Sequence, residues 1–258
     1  MSSLSLATLF SGIGAPEQGA MRVYDDVQTV FACEWDKFAR QSYLANYDID
    51  PKHFYKDIND LDATPYRDKV GVIVGGSPCQ DFSIAGKGAG FDGMRGSLTG
   101  QFVRVVSEVM PHIFIFENVP GITTAKFRHG LKLFQEELRS LGYHLHIDME
   151  NTKHYGVPQS RKRYWIVGFL DHDTYLNFNF APHIRLDKRL KDILEEDVPS
   201  KYYLSQKLLD GFTSHTQKHL AKGNGFKFSP TNGGGYSSVF KHQSREQTHG
   251  QLLIKGYP

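Results

Sequence analysis

The stretch LSLATLFSGIG, residues 4–14, decides the fold of this chain. Its apolar residues 4–10 predict a β-strand, and residues 11–14 predict a glycine-containing turn that leads into a helix. A second apolar run at 27–33 is followed by a polar, helix-compatible stretch at 36–46. The sequence therefore begins with a strand, a turn, a helix, a second strand and a second helix.

The same alternation of strands and helices continues to about residue 170. Further strands are predicted at residues 71–76, 113–116, 143–149 and 164–169. Between them, apolar residues at helical spacing predict helices at 98–109 and 131–141. This order favours an α/β fold, a doubly wound, Rossmann-like sheet with helices on both faces.

The alternation fades after residue 172. Residues 186–194 and 204–212 are each compatible with a helix, and glycine-rich, lysine-rich sequence without a clear period follows them. We therefore expect two parts, residues 1–180 and residues 181–258, of which the second is irregular.

The composition excludes several classes of protein. Only two of the 258 residues are cysteines, Cys33 and Cys79, which excludes a disulfide scaffold and a multi-cysteine zinc site. No run of about 18 apolar residues occurs, so we expect a cytoplasmic protein without a membrane span. The last 58 residues carry 8 Lys and Arg against 2 Asp and Glu, either a counter-surface for phosphates or a solvated basic end.

The first turn has features of a nucleotide site. Gly12 and Gly14 let the backbone approach a ligand, and Glu34, at the end of the second predicted strand, suits ribose hydroxyls. Glu17 stands where the dinucleotide fingerprint has a third glycine, which favours a nucleoside without phosphates, such as S-adenosylmethionine. Trp35 could stack on adenine. Ordinary turn chemistry remains the alternative interpretation of these glycines.

The second candidate is Cys79, in the stretch GGSPCQ at residues 75–80. It follows a predicted central strand, where an exposed thiol would be a nucleophile and a buried one would be inert. Five of the eleven residues at 86–96 are glycine, and Lys87 and Arg95 are among the others. This stretch is either a basic lid over the cysteine or an ordinary surface loop.

Two further candidates are charged groups near strand ends. Glu117 ends an apolar strand and could donate a proton to a substrate, or it could simply cap a helix or pair with a base. Arg161 and Arg163 share one face if their stretch is extended, or they belong to a solvated basic cluster.

Together these motifs resemble those of the DNA cytosine-5 methyltransferases, over about residues 4 to 170. The resemblance is carried by LFSGIG at 9–14, EWD at 34–36, DI at 57–58, GSPCQDFS at 76–83, RGSL at 95–98, ENV at 117–119 and QSRKR at 159–163. It implies an S-adenosylmethionine-dependent methyltransferase sheet in residues 1–180 and the start of a target-recognition region in 181–258. It also implies an enzyme encoded by bacteria or phage, often in a restriction-modification system.

The resemblance also implies the role of each site residue. The S-adenosylmethionine pocket would be formed by Phe10, Gly12, Gly14, Glu34, Trp35, Asp57, Ile58, Pro78 and Leu98. Cys79 would be the nucleophile that attacks cytosine C6, Glu117 would bind the N3 edge, and Arg163 would stabilise negative charge on the base. The loop and the backbone contacts would be supported by Gln80, Ser83 and Arg161, and Ser83, Lys87 and Arg95 would contact double-stranded DNA. No metal is expected, and the target cytosine must be flipped out of the duplex.

The chain departs from the family pattern at its end. The Gly-Asn-Ser-Val motif that completes the cofactor pocket is missing, and residues 252–258 resemble the recognition region. We therefore expect an incomplete chain that needs a second polypeptide or the missing C-terminal segment, as a split enzyme, a fragment or the product of a truncated gene would. The alternatives are a catalytically incomplete protein that binds cofactor or DNA, and an RNA cytosine-5 methyltransferase.

Overall fold

A computed structural model describes residues 3–78, 97–195, 199 and 203–223, and the backbone of residues 237 and 238. The chain divides into two compact units, residues 1–150 with 162–181 and residues 151–161 with 182–258. The predicted roles of residues 1–180 and 181–258 stay predictions. Among the described residues, no helix has the length and apolar character needed to cross a membrane.

The strands form two sheets. In chain order they are β1 (Ser3–Leu9), β2 (Asp26–Cys33), β3 (Phe54–Tyr55), β4 (Val72–Gly75), β5 (Ile113–Asn118), β6 (His144–Asn151), β7 (Gln159–Ser160), β8 (Lys162–Phe169) and β9 (Ser237–Ser238). The larger sheet has the order β3-β2-β1-β4-β5-β8-β6. In the second unit, β7 and β9 form a parallel pair.

The direction of the strands gathers their ends at one edge of the larger sheet. Strands β3, β2, β1, β4 and β5 are parallel, so their carboxyl ends lie together. Strand β8 runs antiparallel to β5, with Glu117 opposite Trp165, and its first residues therefore reach the same edge. The strand order reverses between β1 and β4, the place where open α/β sheets bind ligands.

The helices follow the predicted alternation. They are α1 (Ala15–Ala20), α2 (Lys37–Asn46), α3 (Leu98–Val109), α4 (Arg128–Ser140), α5 (His172–Asn177) and α6 (Gln206–Ala221). Asp36 starts α2 by accepting from the N–H groups of Phe38 and Ala39, at 2.9 and 2.7 Å. Such capping satisfies backbone donors that have no partner inside the helix.

One predicted element is absent. Residues 186–194 do not form a helix but an irregular stretch that ends in a short 3-10 turn, Leu190–Ile193. Leu186 is buried whereas Ile193, which a helix would place on the same face, is 51% exposed, so packing does not cover that face along its length. The short strand β3 was not predicted, because two residues give no periodicity.

The first unit has two cores, one on each face of the sheet. Phe31 belongs to the large core, and its neighbour Ala32 belongs to a smaller one with Tyr43 and Phe54. Successive residues of a strand point to opposite faces, so the two cores lie on opposite sides of β2. This arrangement confirms the predicted layers of an α/β fold.

Gly168 on β8 is required by a close approach in the large core. It lies opposite Phe114 on β5, and a Cβ atom at this position would overlap the Phe114 ring. Phe114 is fully buried, and aromatic rings surround it, so it has little room to move away.

We predict that Gly168→Ala lowers the free energy of unfolding by about 1–3 kcal/mol, because the added methyl group overpacks the core. The matched control is Gly211→Ala within α6, where a Cβ atom would meet nothing within 4 Å. The control is expected to stabilise its helix by about 0.5–1 kcal/mol. Urea unfolding followed by circular dichroism measures both changes, and equal stabilities for Gly168→Ala and the wild type would contradict the prediction.

Candidate active site

The carboxyl edge of the larger sheet gathers most of the described candidate residues. They are Phe10, Gly12, Gly14, Glu34, Trp35, Asp57, Ile58, Pro78 and Glu117, each at or just beyond the end of a parallel strand. Arg163 joins them from the first residues of the antiparallel strand β8.

Glu34 connects the end of β1 to the end of β2. Its two carboxylate oxygens accept hydrogen bonds from the backbone N–H groups of Gly12, at 2.8 Å, and Asp36, at 2.7 Å. Each carboxylate oxygen has two lone pairs, so Glu34 can still accept from the hydroxyl groups of a ligand. A sugar diol bound here would be recognised by a carboxylate that the backbone already holds in place.

The glycine turn after β1 has a conformation that other residues rarely adopt. Gly12 and Gly14 have φ angles of 57° and 90°, and a Cβ atom at Gly14 would overlap the ring of Tyr47. The Tyr47 hydroxyl donates to the Gly14 carbonyl oxygen at 2.7 Å. A Cβ atom at Gly12, in contrast, would meet nothing within 4 Å, which leaves room for a ligand beside the turn.

Next to this turn lies an exposed aromatic ring. Trp35 is 64% exposed, and the Lys56 ammonium lies 4.8 Å from the centre of its ring. Asp57 accepts from the backbone and side-chain N–H groups of Asn59, and the Ile58 side chain is buried. An aromatic face, a carboxylate and an open glycine turn together fit an adenosine moiety.

A second group of contacts surrounds the end of β5. Glu117 Oε1 lies 2.8 Å from Arg163 Nε, and the two side chains are 28% and 19% exposed. Gly76 allows the chain after β4 to approach, since a Cβ atom there would overlap the Glu117 carbonyl oxygen. Asn118 Nδ2 donates to the Ser77 carbonyl oxygen at 2.8 Å. These contacts hold residues 76–78 beside the ion pair, and Cys79 is the next residue in the sequence.

Of the two cysteines, the structure describes only Cys33, which is buried. Cys33 is 3% exposed, and burial raises the pKa of its thiol to about 12, with the nearby Glu34 and Asp57 carboxylates adding to the effect. Such a thiol stays protonated and is a poor nucleophile. Cys79 lies outside the described residues.

Several other predicted site residues also lie outside the described residues. They are Gln80, Ser83, Lys87 and Arg95. The glycine-rich stretch 86–96 also lies outside the described residues. Leu98 is the first residue of α3 and is partly buried. Arg161 belongs to the second unit, where its backbone N–H donates to Asn151 Oδ1 at 3.1 Å.

Glu17, at the third-glycine position of the dinucleotide fingerprint, has its partners inside the protein. Its side chain is fully buried, and its Oε1 accepts from the hydroxyl groups of Thr8, at 2.5 Å, and Tyr43, at 2.7 Å. Burial raises the pKa of Glu17. No sequence signal pointed to this position, because a glutamate in a short helix normally faces solvent.

Comparison with known proteins decides the family. The model of the family described as C-5 cytosine-specific DNA methylase matches residues 4–255. The chain belongs to this family. It is 31% identical to an orphan methyltransferase, M.Rho11sI of Bacillus phage rho11s, over 95% of this chain and 56% of that protein. It is 38% identical to the type II methyltransferase M.HaeII of Haemophilus aegyptius, over 78% of this chain and 61% of that protein.

A solved structure supports the fold of this family member. The S. pombe Dnmt2 methyltransferase matches with a TM-score of 0.64 and 22% identity, over 83% of this chain and 67% of that chain. The resemblance predicted from the motifs is therefore confirmed at the level of family and fold. The chain spans just over half the length of the first curated relatives that it matches.

The buried acid gives a prediction for stability against pH. Because the pKa of Glu17 is raised above 4.5 in the folded protein, the folded state holds a proton that the unfolded chain releases. The stability that Glu17 contributes is therefore complete below pH 4.5 and is lost as pH rises through the folded-state pKa. We predict that Glu17→Gln, which keeps the accepting Oε1, gains stability relative to the wild type as pH rises above 4.5.

Urea unfolding of both proteins at a series of pH values from 4.5 to 8 measures this difference. The matched control is Glu136→Gln, at an exposed position that pairs with Lys132 on α4, and it should show no such trend. A constant difference between Glu17→Gln and the wild type at every pH would contradict the prediction.

Proposed function

We propose that this chain carries the catalytic chemistry of a DNA cytosine-5 methyltransferase that uses S-adenosylmethionine. The observation that carries the proposal is the Glu117–Arg163 pair, at 2.8 Å, beside the backbone segment that leads into Cys79. An acid and a guanidinium beside the segment that precedes a cysteine in the sequence suit the activation of a pyrimidine ring. Membership of the C-5 cytosine-specific DNA methylase family supports the same reaction.

The cofactor would lie along the carboxyl ends of β1, β2 and β3. Glu34 would accept from the ribose hydroxyl groups, Trp35 would stack on the adenine, and Asp57 with Ile58 would bind the adenine amino edge. The main contacts would be completed by Phe10, Gly12, Gly14, Pro78 and Leu98. When bound, S-adenosylmethionine supplies a methyl group that is activated by its sulfonium. No metal is needed for this chemistry.

The Cys79 thiolate would add to C6 of the target cytosine. A new S–C6 bond forms, and the electron pair of the C5–C6 double bond becomes available at C5, which is otherwise a weak nucleophile. Glu117 would donate a proton or a strong hydrogen bond to N3, and Arg163 would stabilise negative charge at O2. C5 then takes the methyl group, a base removes the C5 proton, and elimination of the thiolate restores the ring.

The substrate would be duplex DNA with the target cytosine flipped out of the stack. Flipping costs a few kcal/mol, which contacts to the DNA backbone must offset. We assign Ser83, Lys87 and Arg95 to these contacts, with Gln80 and Arg161 supporting the loop and the backbone. The excess of basic residues in the last 58 positions suits the same polyanion.

Transfer of a labelled methyl group to duplex DNA tests the proposal. We expect Cys79→Ala to lose at least about 1,000-fold of the transfer rate, because no other group replaces the covalent step. The matched control is Cys33→Ala, which removes the buried thiol and is expected to retain transfer, with thermal unfolding used to verify its fold.

Three outcomes would contradict the proposal. Undiminished transfer by Cys79→Ala would overturn the assignment of the nucleophile. Preferential transfer to tRNA would indicate an RNA methyltransferase. Binding of cofactor and DNA without any transfer would indicate a catalytically incomplete binding protein.

A further inference from the structure

Helix α3 contacts two parts of the candidate site, the segment 76–78 and the loop that contains Asp57 and Ile58. Near its start, Thr99 Oγ1 lies 2.7 Å from Ser77 Oγ, and both side chains are buried. Ser77 also accepts, through its carbonyl oxygen, from Asn118 at the end of β5. The first turn of α3 therefore supports the segment that precedes Cys79.

Farther along the same helix, Arg104 reaches the loop that follows β3. Its Nη2 donates to the Ile58 carbonyl oxygen at 2.6 Å, and its Nη1 donates to the Leu61 carbonyl oxygen at 2.8 Å. One planar guanidinium thus holds two carbonyl groups that are three residues apart. A planar fork with several fixed donors is the geometry that arginine provides and lysine does not.

Glu108 completes this contact from the next turn of α3. Its carboxylate oxygens lie 2.8 and 2.9 Å from Arg104 Nη1, and Oε2 also accepts from the Ala63 N–H at 2.9 Å. The Arg104 and Glu108 side chains are 29% and 20% exposed, so the pair is partly shielded from water. Arginine and glutamate together fasten residues 58–63 to α3 at three backbone groups.

This fastening fixes where Asp57 and Ile58 stand. The stretch after β3 is irregular, and β3 itself has only two residues, so the sheet contributes little to its position. The hydrogen bonds from α3 replace the ladder that a longer strand would have provided. Helix α3 therefore supports the segment before Cys79 and also fixes the position of the loop that we assign to the adenine.

We propose that Arg104 is a positioning residue for the cofactor, which it never contacts, and that it acts by holding the Asp57–Ile58 loop in its binding position. This inference rests on the proposed function, because it requires that the loop bind the adenosine moiety. A merely structural ion pair would affect stability, whereas a positioning residue affects the affinity for cofactor more than the affinity for DNA.

The test is calorimetric titration of the full chain with S-adenosylhomocysteine, the product of the cofactor. We expect Arg104→Lys to raise the Kd about 10-fold, since a single ammonium cannot span both carbonyl groups and Glu108. The Kd of the same variant for duplex DNA should stay within about twofold of the wild-type value, because the substitution removes no hydrogen bond that we assign to DNA.

The matched control is Arg67→Lys. Arg67 Nη1 donates to the Glu108 carbonyl oxygen at 3.3 Å, so it contacts the same helix from an exposed position, and its described hydrogen bonds go to Thr64, Ser107 and Glu108 rather than to residues 57–63. The control should bind S-adenosylhomocysteine as the wild type does. Should Arg104→Lys fail to fold, Glu108→Gln, which leaves both carbonyl contacts in place, is expected to raise the Kd about threefold.

The possible results distinguish failure of the positioning role of Arg104 from failure of the proposed function. Wild-type affinity in Arg104→Lys, or an equal loss in Arg67→Lys, would overturn the positioning role alone. If Glu108→Gln is the variant measured, an unchanged Kd would overturn it as well. A wild-type chain that binds no S-adenosylhomocysteine would overturn the proposed function, and the positioning role with it.

Discussion

The candidate site depends on one constraint, the antiparallel direction of β8 beside the parallel strand β5. Glu117 stands near the end of β5, and only a strand that starts at this edge can bring its first residues to the same place. Arg163, the second residue of β8, lies 2.8 Å from the Glu117 carboxylate as a result. A parallel strand in this position would have carried its first residues to the opposite edge of the sheet.

The other contacts of the site build on the same edge. Glu34 accepts from the backbone at both of its oxygens, so its carboxylate is held before any ligand arrives. Gly76 lets residues 76–78 approach Glu117, and Asn118 holds Ser77. Preorganisation of this kind lowers the ordering cost of binding and catalysis. The residues that we propose to touch substrate are therefore supported by backbone contacts rather than by long side chains alone.

Much of this arrangement could be predicted from the sequence. Apolar runs and glycine turns gave the strand and helix order, and the motifs gave the family. The positions of Glu34 and Glu117 at strand ends followed from the parallel order, because each stands just where an apolar run stops. These predictions succeeded because period and turn chemistry are local properties of the sequence.

The remaining features depend on contacts that no local pattern encodes. Glu17 occupies the third-glycine position of the dinucleotide fingerprint, but that pattern does not encode its burial against Thr8 and Tyr43. Arg104 lies on an amphipathic helix, and its partners are carbonyl groups 43 and 46 residues away, a distance that no local pattern spans. Residues 186–194 have the apolar spacing of a helix, but the fold leaves Ile193 exposed, so packing does not stabilise a helix there.

The central claim is that the chain attacks a flipped cytosine through Cys79 with the help of Glu117 and Arg163. Duplex DNA that contains 5-fluorocytosine at the target position tests it most directly, because fluorine at C5 blocks the final elimination and leaves the protein joined to the DNA. With S-adenosylmethionine present, the account predicts a covalent complex that survives denaturing electrophoresis and is absent from Cys79→Ala. A folded wild-type chain that binds cofactor and DNA but never forms this complex would contradict it.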